Sequence, residues 1–475
     1  MTKTSMTTDN RRTEEQSEAK TEESRECLVP LTNGAMVGEA VKDKSFLPGS
    51  LQSSLATIER VVGSWNIQEA LAAVKRNKGA PGIDGISVDE IEEVMLRQWP
   101  TIRQKILDGT YCPSPVRRVN IPKPDGNGIR QLGIPTVMDR VIQQAIYQVI
   151  LPVFDPTFSE HSYGFRPNRS AQQAVMQAQK HIQEGYTWVV DIDLEKFFDR
   201  VNHDMLMARV ARRVKDKKIL LLIRRYLQSG VMEDGLVHTT EEGTPQGGPL
   251  SPILSNIMLD DFDRELGKRG LRFVRYADDC NTYVKSERAG QRVMDTTVRY
   301  LEGKLNLKVN KQKSAVDQPW NRKFLGFTFT RGKEPGRIAV HESRVKRFKD
   351  KIRGLSKKMR GRNVEDSIRR HIMPITRGWV NYFGIAEARS IFKSLDGWIR
   401  RRLRDSVWRQ WKKPRTRRKR LIALGLKKLT AREAAYSGRG PWRMARTYAM
   451  HQALSNWVIE KMGYVSMESM VRDRS

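Results

Sequence analysis

Residues 271–286 read LRFVRYADDCNTYVKS. Phe273, Val274 and Tyr276 precede the polar centre, and Thr282, Tyr283 and Val284 follow it. These β-branched and aromatic residues suit a pleated, half-buried surface. The segment therefore reads as strand, tight turn, strand, with Asp278 and Asp279 at the turn. Side chains alternate across a strand, so two adjacent acids cannot share one apolar face. Asp is also an ordinary turn residue. A functional reading of the pair requires a third carboxylate.

Residues 188–203, WVVDIDLEKFFDRVNH, supply it. Trp188, Val189 and Val190 look like a buried strand, and Asp191 and Asp193 follow at a spacing of two, on one side of it. Two neighbouring strands can then gather carboxylates that would repel strongly unless neutralised. A divalent metal resolves the conflict. Few, hard oxygen ligands with room for water and phosphate suit Mg²⁺. Two such ions, roughly 3.5–4 Å apart, activate an attacking hydroxyl and stabilise a leaving pyrophosphate.

Composition points toward a polyanionic partner. The 475 residues carry 86 Lys and Arg against 54 Asp and Glu, a net charge of +32. Residues 341–450 alone hold 33 Lys and Arg against 8 Asp and Glu, a net +25. Nucleic acid is the partner such an excess fits best. No apolar run is long enough to span a bilayer and no signal-peptide core is visible, so a cytoplasmic protein without a membrane partner is expected. Cys27, Cys112 and Cys280 are scattered and form neither a disulfide framework nor a zinc site. Residues 1–50 are polar and poor in aromatics, which predicts a disordered N-terminal extension.

Read together, RYADD and DIDLEKFFD resemble motifs C and A of a reverse transcriptase palm, and EGTPQGGPLSPILSNIMLD between them resembles motif B. GAPGIDG, RRVNIPKPDGNGIRQLGIPTVMDRVIQQAI, HSYGFRPNRSA and FLGFTF are similar, in the same order, to the N-terminal extension, fingers and primer-grip motifs of group II intron enzymes. GWVNYF and GWIRRRLR resemble the thumb, or X, domain of intron maturases. The likeness runs from about residue 55 to the end and is nearest to the bacterial group IIC type. It implies an α+β right-hand polymerase: fingers over 51–185, palm over 186–335, an α-helical thumb/X domain over 336–412, and a small basic DNA-binding D domain over 413–475. The implied activity is RNA-directed DNA polymerisation with maturase assistance to splicing, supporting intron mobility. The implied partners are the chain's own intron RNA, an RNA template with a DNA primer, target DNA and dNTPs. Many relatives continue into an endonuclease with Cys pairs, which this sequence does not show, so second-strand cutting is not expected.

The resemblance also assigns residues. Asp193, Asp278 and Asp279 become the metal ligands and catalytic acids. Phe198, five positions after Asp193, matches the steric gate against a ribose 2′-hydroxyl, although an aromatic after a strand also suits a core. Counting back from Phe198 selects Asp193 over Asp191, which is left to brace the strand end or the metal's outer shell. Gln246 would lie against the incoming nucleotide, with Gly247 and Gly248 admitting close backbone approach. Lys123 and Arg130 would close on the outer phosphates. Lys313 falls where the family carries a lysine that can protonate pyrophosphate, and a surface lysine reads equally well there.

In the C-terminal third, Ile399, Leu403, Val407 and Trp411 recur every four residues, which predicts an amphipathic helix. Arg400, Arg401, Arg402 and Arg404 are its expected nucleic-acid-binding face. Pro414 should end it.

Overall fold

The structure, a computed structural model, describes residues 56–122, 128–233, 236–238, 242–243, 247–332 and 335–472. The chain is α+β and divides into two compact units, one within Met1–Ala174 plus Val190–Val316 and the other within Val175–Val189 plus Asp317–Ser475. The expected N-terminal extension over 1–50 lies outside the described residues.

One four-stranded sheet contains Val116–Pro122 (β1), Ile129–Ile134 (β2), Val231–Glu233 (β4) and Leu236–His238 (β5), in the order β2-β1-β4-β5. β1 and β2 pair antiparallel, with Ile121 opposite Arg130. The helix Val137–Phe154 follows β2. Thr136 caps it by accepting the Asp139 N–H at 3.1 Å. Val141, Ile142, Ala145, Ile146, Val149 and Ile150 are all buried, because an almost all-round apolar helix belongs inside a core. The buried Asp139 carboxylate survives there because Tyr111 Oη (2.8 Å), Tyr226 Oη (3.1 Å), Thr136 Oγ1 (2.7 Å) and the Ser114 N–H (3.2 Å) all donate to it.

The second sheet has the order β6-β7-β3-β8, with Trp188–Ile192 (β3), Arg272–Tyr276 (β6), Asp279–Val284 (β7) and Ala315–Asp317 (β8). β6 and β7 form the predicted hairpin, with Tyr276 opposite Asp279. Ala277 and Asp278 are its two-residue turn, and Ala277 takes φ +58°, the positive value such tight hairpin turns demand. The helix Ser251–Lys268 carries Pro252 in its first turn, where a missing N–H costs nothing. It buries Ile253, Leu254, Ile257, Met258, Phe262 and Leu266, an apolar stripe at helical spacing.

In the second unit Phe327–Phe329 (β9) pairs antiparallel with Ile338–Val340 (β10). The helix Ser390–Gln410 buries Phe392, Leu395, Ile399, Leu403, Val407 and Trp408. The predicted four-residue rhythm is real through Val407, whereas Trp411 leaves the helix as its C-cap. Asp396, inside this helix, accepts from Tyr464 Oη (2.6 Å) and from the N–H groups of Met467 (2.8 Å) and Glu468 (3.0 Å). A buried carboxylate thereby fixes the last described helix, Met467–Arg472, against the Ser390–Gln410 helix.

Candidate active site

The site grows from the end of β3 and the β6–β7 turn. β3 and β7 are neighbours in the sheet. Asp191, Asp193, Asp278 and Asp279 are all half-buried, as acids at strand ends should be. Asp278 lies in the turn, and Asp279 is the first residue of β7. Tyr283 and Cys280 are buried on β7, and both have their pKa values raised, first by burial and further by the charges of Asp191 and Asp279. One pair of buried groups thus feels acids from both strands. The Cys280 thiol stays protonated and adds no soft ligand.

A fully buried arginine holds the turn. Arg275 is 0% exposed and uses all five guanidinium donors. Nε and Nη2 bind Asp263 Oδ1 (2.7 Å) and Oδ2 (2.5 Å). Nη1 donates to Asn256 Oδ1 (3.0 Å) and to the carbonyl of Ala277 (2.8 Å), and Nη2 to Ser162 Oγ (2.8 Å). Burial alone would lower the Arg275 pKa, but the Asp263 carboxylate more than offsets it and leaves the value raised. Asn256 also donates to Gly164 O at 2.9 Å. Gly164 has no room for a side chain, since a Cβ there would stand 2.3 Å from the Ala277 nitrogen. Three sequence motifs therefore meet behind the acids: HSYG, the Ser251–Lys268 helix and RYADD.

Asp193 follows β3, and Lys313 Nζ stands 3.4 Å from its Oδ2. Both side chains are well exposed, 40% for Asp193 and 62% for Lys313, so water screens this pair and it contributes little stability. Phe198 is half-buried against the core and meets Phe197 edge-on at 5.2 Å. His203 is buried and its Nε2 lies 2.6 Å from Gly243 O, which ties motif A to the start of motif B. The nearest neighbours of Gly247 and Gly248 are protein groups, since Cβ atoms there would meet Gly133 O at 2.6 Å and Gln143 Oε1 at 2.2 Å. Lys123 and Gln246 lie outside the described residues, and of Arg130 only the backbone is described.

The donor set suits a hard divalent cation: half-exposed carboxylate oxygens with the one nearby thiol buried and protonated. Among the described residues, no three His, Cys, Asp or Glu side chains already form a metal cage.

On the expected basic face of the Ser390–Gln410 helix, Arg404 is buried and Arg400, Arg401 and Arg402 are half-buried. Arg404 is 3% exposed, and its Nε donates to Leu454 O at 2.8 Å. Burial, with Arg400 close by, lowers its pKa. Arg401 stacks 3.9 Å from the centroid of Trp442 and donates to that residue's carbonyl at 3.0 Å. Arg402 lies 4.6 Å from the same ring, and Arg400 is paired with Glu460 at 3.9 Å. These cations fasten the segments after residue 440 to the helix. The exposed charge comes next along the chain, in Lys412, Lys413, Arg415, Arg418, Lys419 and Arg420, around and within the helix Pro414–Ala423.

The sequence model of the family described as reverse transcriptase (RNA-dependent DNA polymerase) matches residues 121–329. That of the group II intron maturase-specific domain matches residues 345–424. Protein YkfC of Escherichia coli (strain K12) is 33% identical over 290 residues, covering 53% of this chain and 76% of YkfC. The chain belongs to the family of group II intron reverse transcriptases and maturases. The group II intron-encoded protein LtrA of Lactococcus lactis subsp. cremoris is 37% identical over 206 residues, which is 42% of this chain but 33% of LtrA. A chain of a partial Cas6-RT-Cas1--Cas2 complex is 25% identical at a TM-score of 0.35, over 52% of this chain and 42% of that one. The reverse transcriptase match contains every candidate residue of the acidic site, and the maturase match contains Arg400 to Arg404 and runs past residue 412 to 424. No helix among the described residues is long and apolar enough to cross a membrane.

Proposed function

We propose that this chain is an RNA-directed DNA polymerase that extends a DNA primer on an RNA template from dNTPs, and that it helps its own group II intron RNA to splice. What supports the reading is the adjacency of β3 and β7, with Asp193 just after β3, Asp278 in the turn before β7 and Asp279 at its start, inside the reverse transcriptase match. Asp193, Asp278 and Asp279 would hold Mg²⁺, as two ions. When bound, the metal supplies activation of the primer hydroxyl and neutralisation of the leaving pyrophosphate. The protein's own part is to hold the carboxylates at rigid strand ends, with the Arg275 network fixing the turn. Lys123 and Arg130 would grip the triphosphate, with Gln246 against the nucleotide. Primer extension on an RNA template, and intron splicing with and without the chain, test the two halves of this reading. Absence of both activities from folded protein sinks it.

Phe198 stands beside Asp193 in this scheme as the selector against ribose. Phe198→Ala should raise ribonucleotide use relative to dNTPs by about tenfold or more, the scale on which steric pockets discriminate. Competing rNTP and dNTP incorporation measures it. A lowered melting temperature with unchanged sugar selection would make Phe198 a core residue only.

The exposed segment 412–420 would bind nucleic-acid backbone, target DNA included. Replacing Arg415, Arg418, Lys419 and Arg420 with Gln should weaken binding to both intron RNA and DNA. It should also flatten the plot of log affinity against log salt by roughly 0.7–0.9 per lost phosphate contact. Arg404→Gln should instead lower the melting temperature and leave the salt slope nearly unchanged. Equal slopes for the fourfold variant and wild type would remove 412–420 from the interface.

A further inference from the structure

Beyond β3 the chain carrying Asp193 runs beside residues 308–310. Glu195 N–H donates to Lys308 O (2.8 Å), Leu194 bridges Val309 in antiparallel fashion, and Asn310 N–H donates to Asp193 O (2.8 Å). Opposed residues in such a ladder ordinarily exchange both of their backbone bonds. Here Asn310 turns its carbonyl inward to accept from Lys313 (3.2 Å) and Ser314 (2.9 Å). Its Oδ1 reinforces that turn by accepting from Gln312 (3.2 Å) and Lys313 (3.3 Å). The Asp193 N–H is thereby released from the ladder. It goes instead to Ser314 Oγ at 3.0 Å, and the same hydroxyl lies 3.4 Å from Asp193 O. One side chain, 121 positions away in sequence, brackets both backbone groups of the acid.

We propose that Ser314 is a positioning residue: its hydroxyl completes the interrupted ladder and fixes the peptide from which Asp193 presents its carboxylate to metal. This rests on the reading of Asp193 as a metal ligand. The Asp193 carboxylate is 40% exposed and its partner Lys313, at 3.4 Å, is 62% exposed, so that water-screened pair fixes the acid only weakly and leaves the peptide to do so. Ser314 also lines a cavity of about 550 Å³ together with Val309 and Val316. A water entering from there can satisfy the Asp193 N–H in a variant without the hydroxyl, but it cannot fix the direction of the bond. Loss of the hydroxyl therefore leaves stability nearly intact and weakens the metal site.

The test uses the full chain and the variants Ser314→Ala, Ser314→Thr and Asp193→Ala. Mn²⁺ alone is titrated into each protein, and binding is followed by loss of the free-ion EPR signal. Primer extension on an RNA template is measured separately against Mg²⁺ concentration. Ser314→Ala should raise both the Mn²⁺ dissociation constant and the half-saturating Mg²⁺ about tenfold or more, as removal of an outer-shell partner does. Its melting temperature and RNA affinity should stay near wild type, and Ser314→Thr, which keeps the hydroxyl, should behave like wild type. Wild-type Mn²⁺ affinity and Mg²⁺ requirement in Ser314→Ala overturn the proposal while leaving the polymerase reading standing. A threonine variant as impaired as alanine overturns the role of the hydroxyl. A wild-type chain that neither binds Mn²⁺ nor extends a primer, with Asp193→Ala indistinguishable from it, overturns the metal site itself and this proposal with it.

Discussion

Asp193→Ala, Asp278→Ala and Asp279→Ala should each reduce primer extension on an RNA template below roughly one thousandth of wild type, because loss of a ligand dismantles the metal site and with it the electrostatic stabilisation of the reaction. RNA affinity should hardly change, since the basic segment 412–420 is untouched. Melting temperature should stay near wild type, because none of the three acids is fully buried. Asp191→Ala is the informative companion. Asp191 lies within β3 and shares with Asp279 an influence on buried Tyr283. It should lower the rate far less than Asp193→Ala. A dead Asp191→Ala beside an active Asp193→Ala would exchange the two roles.

Arg275→Met should be the most destabilising single substitution in the catalytic unit. It strands Asp263, a 1% exposed carboxylate, without its cation, a loss of about 3–5 kcal/mol. Arg275→Lys should fare little better, because one ammonium cannot reproduce five donors spread over Asp263, Asn256, Ala277 and Ser162. The double variant Arg275→Met with Asp263→Leu separates stability from function. Replacing both charges with apolar groups should recover much of the melting temperature. Extension should stay low, since the Ala277 carbonyl has lost the donor that fixes the turn. Chemical denaturation and primer extension on the three proteins check this. Full recovery of extension in the double variant would show that the turn holds its shape without Arg275. Gly164→Ala should act in the same direction, because its Cβ would press on the Ala277 nitrogen.

The strands and the turn that carry the candidate acids were legible in the sequence because strand periodicity is a local property. Acids spaced by two at the end of a Val-rich strand, and a polar pair between two β-branched runs, declare their geometry without any knowledge of neighbours. The order of motifs extended that local reading to the family, and the apolar rhythm of Ile399, Leu403 and Val407 to the core of the second unit. The partners of those elements were not legible. Arg275 stood in the quoted stretch without a role, since nothing nearby in sequence shows that Asp263, Asn256 and Ser162 will surround it. Ser314 was hidden in the same way, separated from Asp193 by the whole of motif B and the hairpin.

Charge alone does not tell a buried arginine from an open one. Arg400, Arg401, Arg402 and Arg404 read alike as a phosphate-binding face in the sequence, which cannot show that the chain folds back over Arg404 and leaves the other three half-buried. In the folded protein Arg404 donates to Leu454, Arg401 to Trp442 and Arg400 pairs with Glu460, while Lys412, Lys413 and Arg415 just beyond the helix are exposed. The sequence by itself determined the strands, the turn that carries the acid pair and the family, since each follows from local pattern. Only the tertiary structure decided which polar groups hold those acids in place and which arginines remain open to a partner. A guanidinium in water and one buried against a carbonyl are the same letter, and only the long-range packing that removes the water tells them apart.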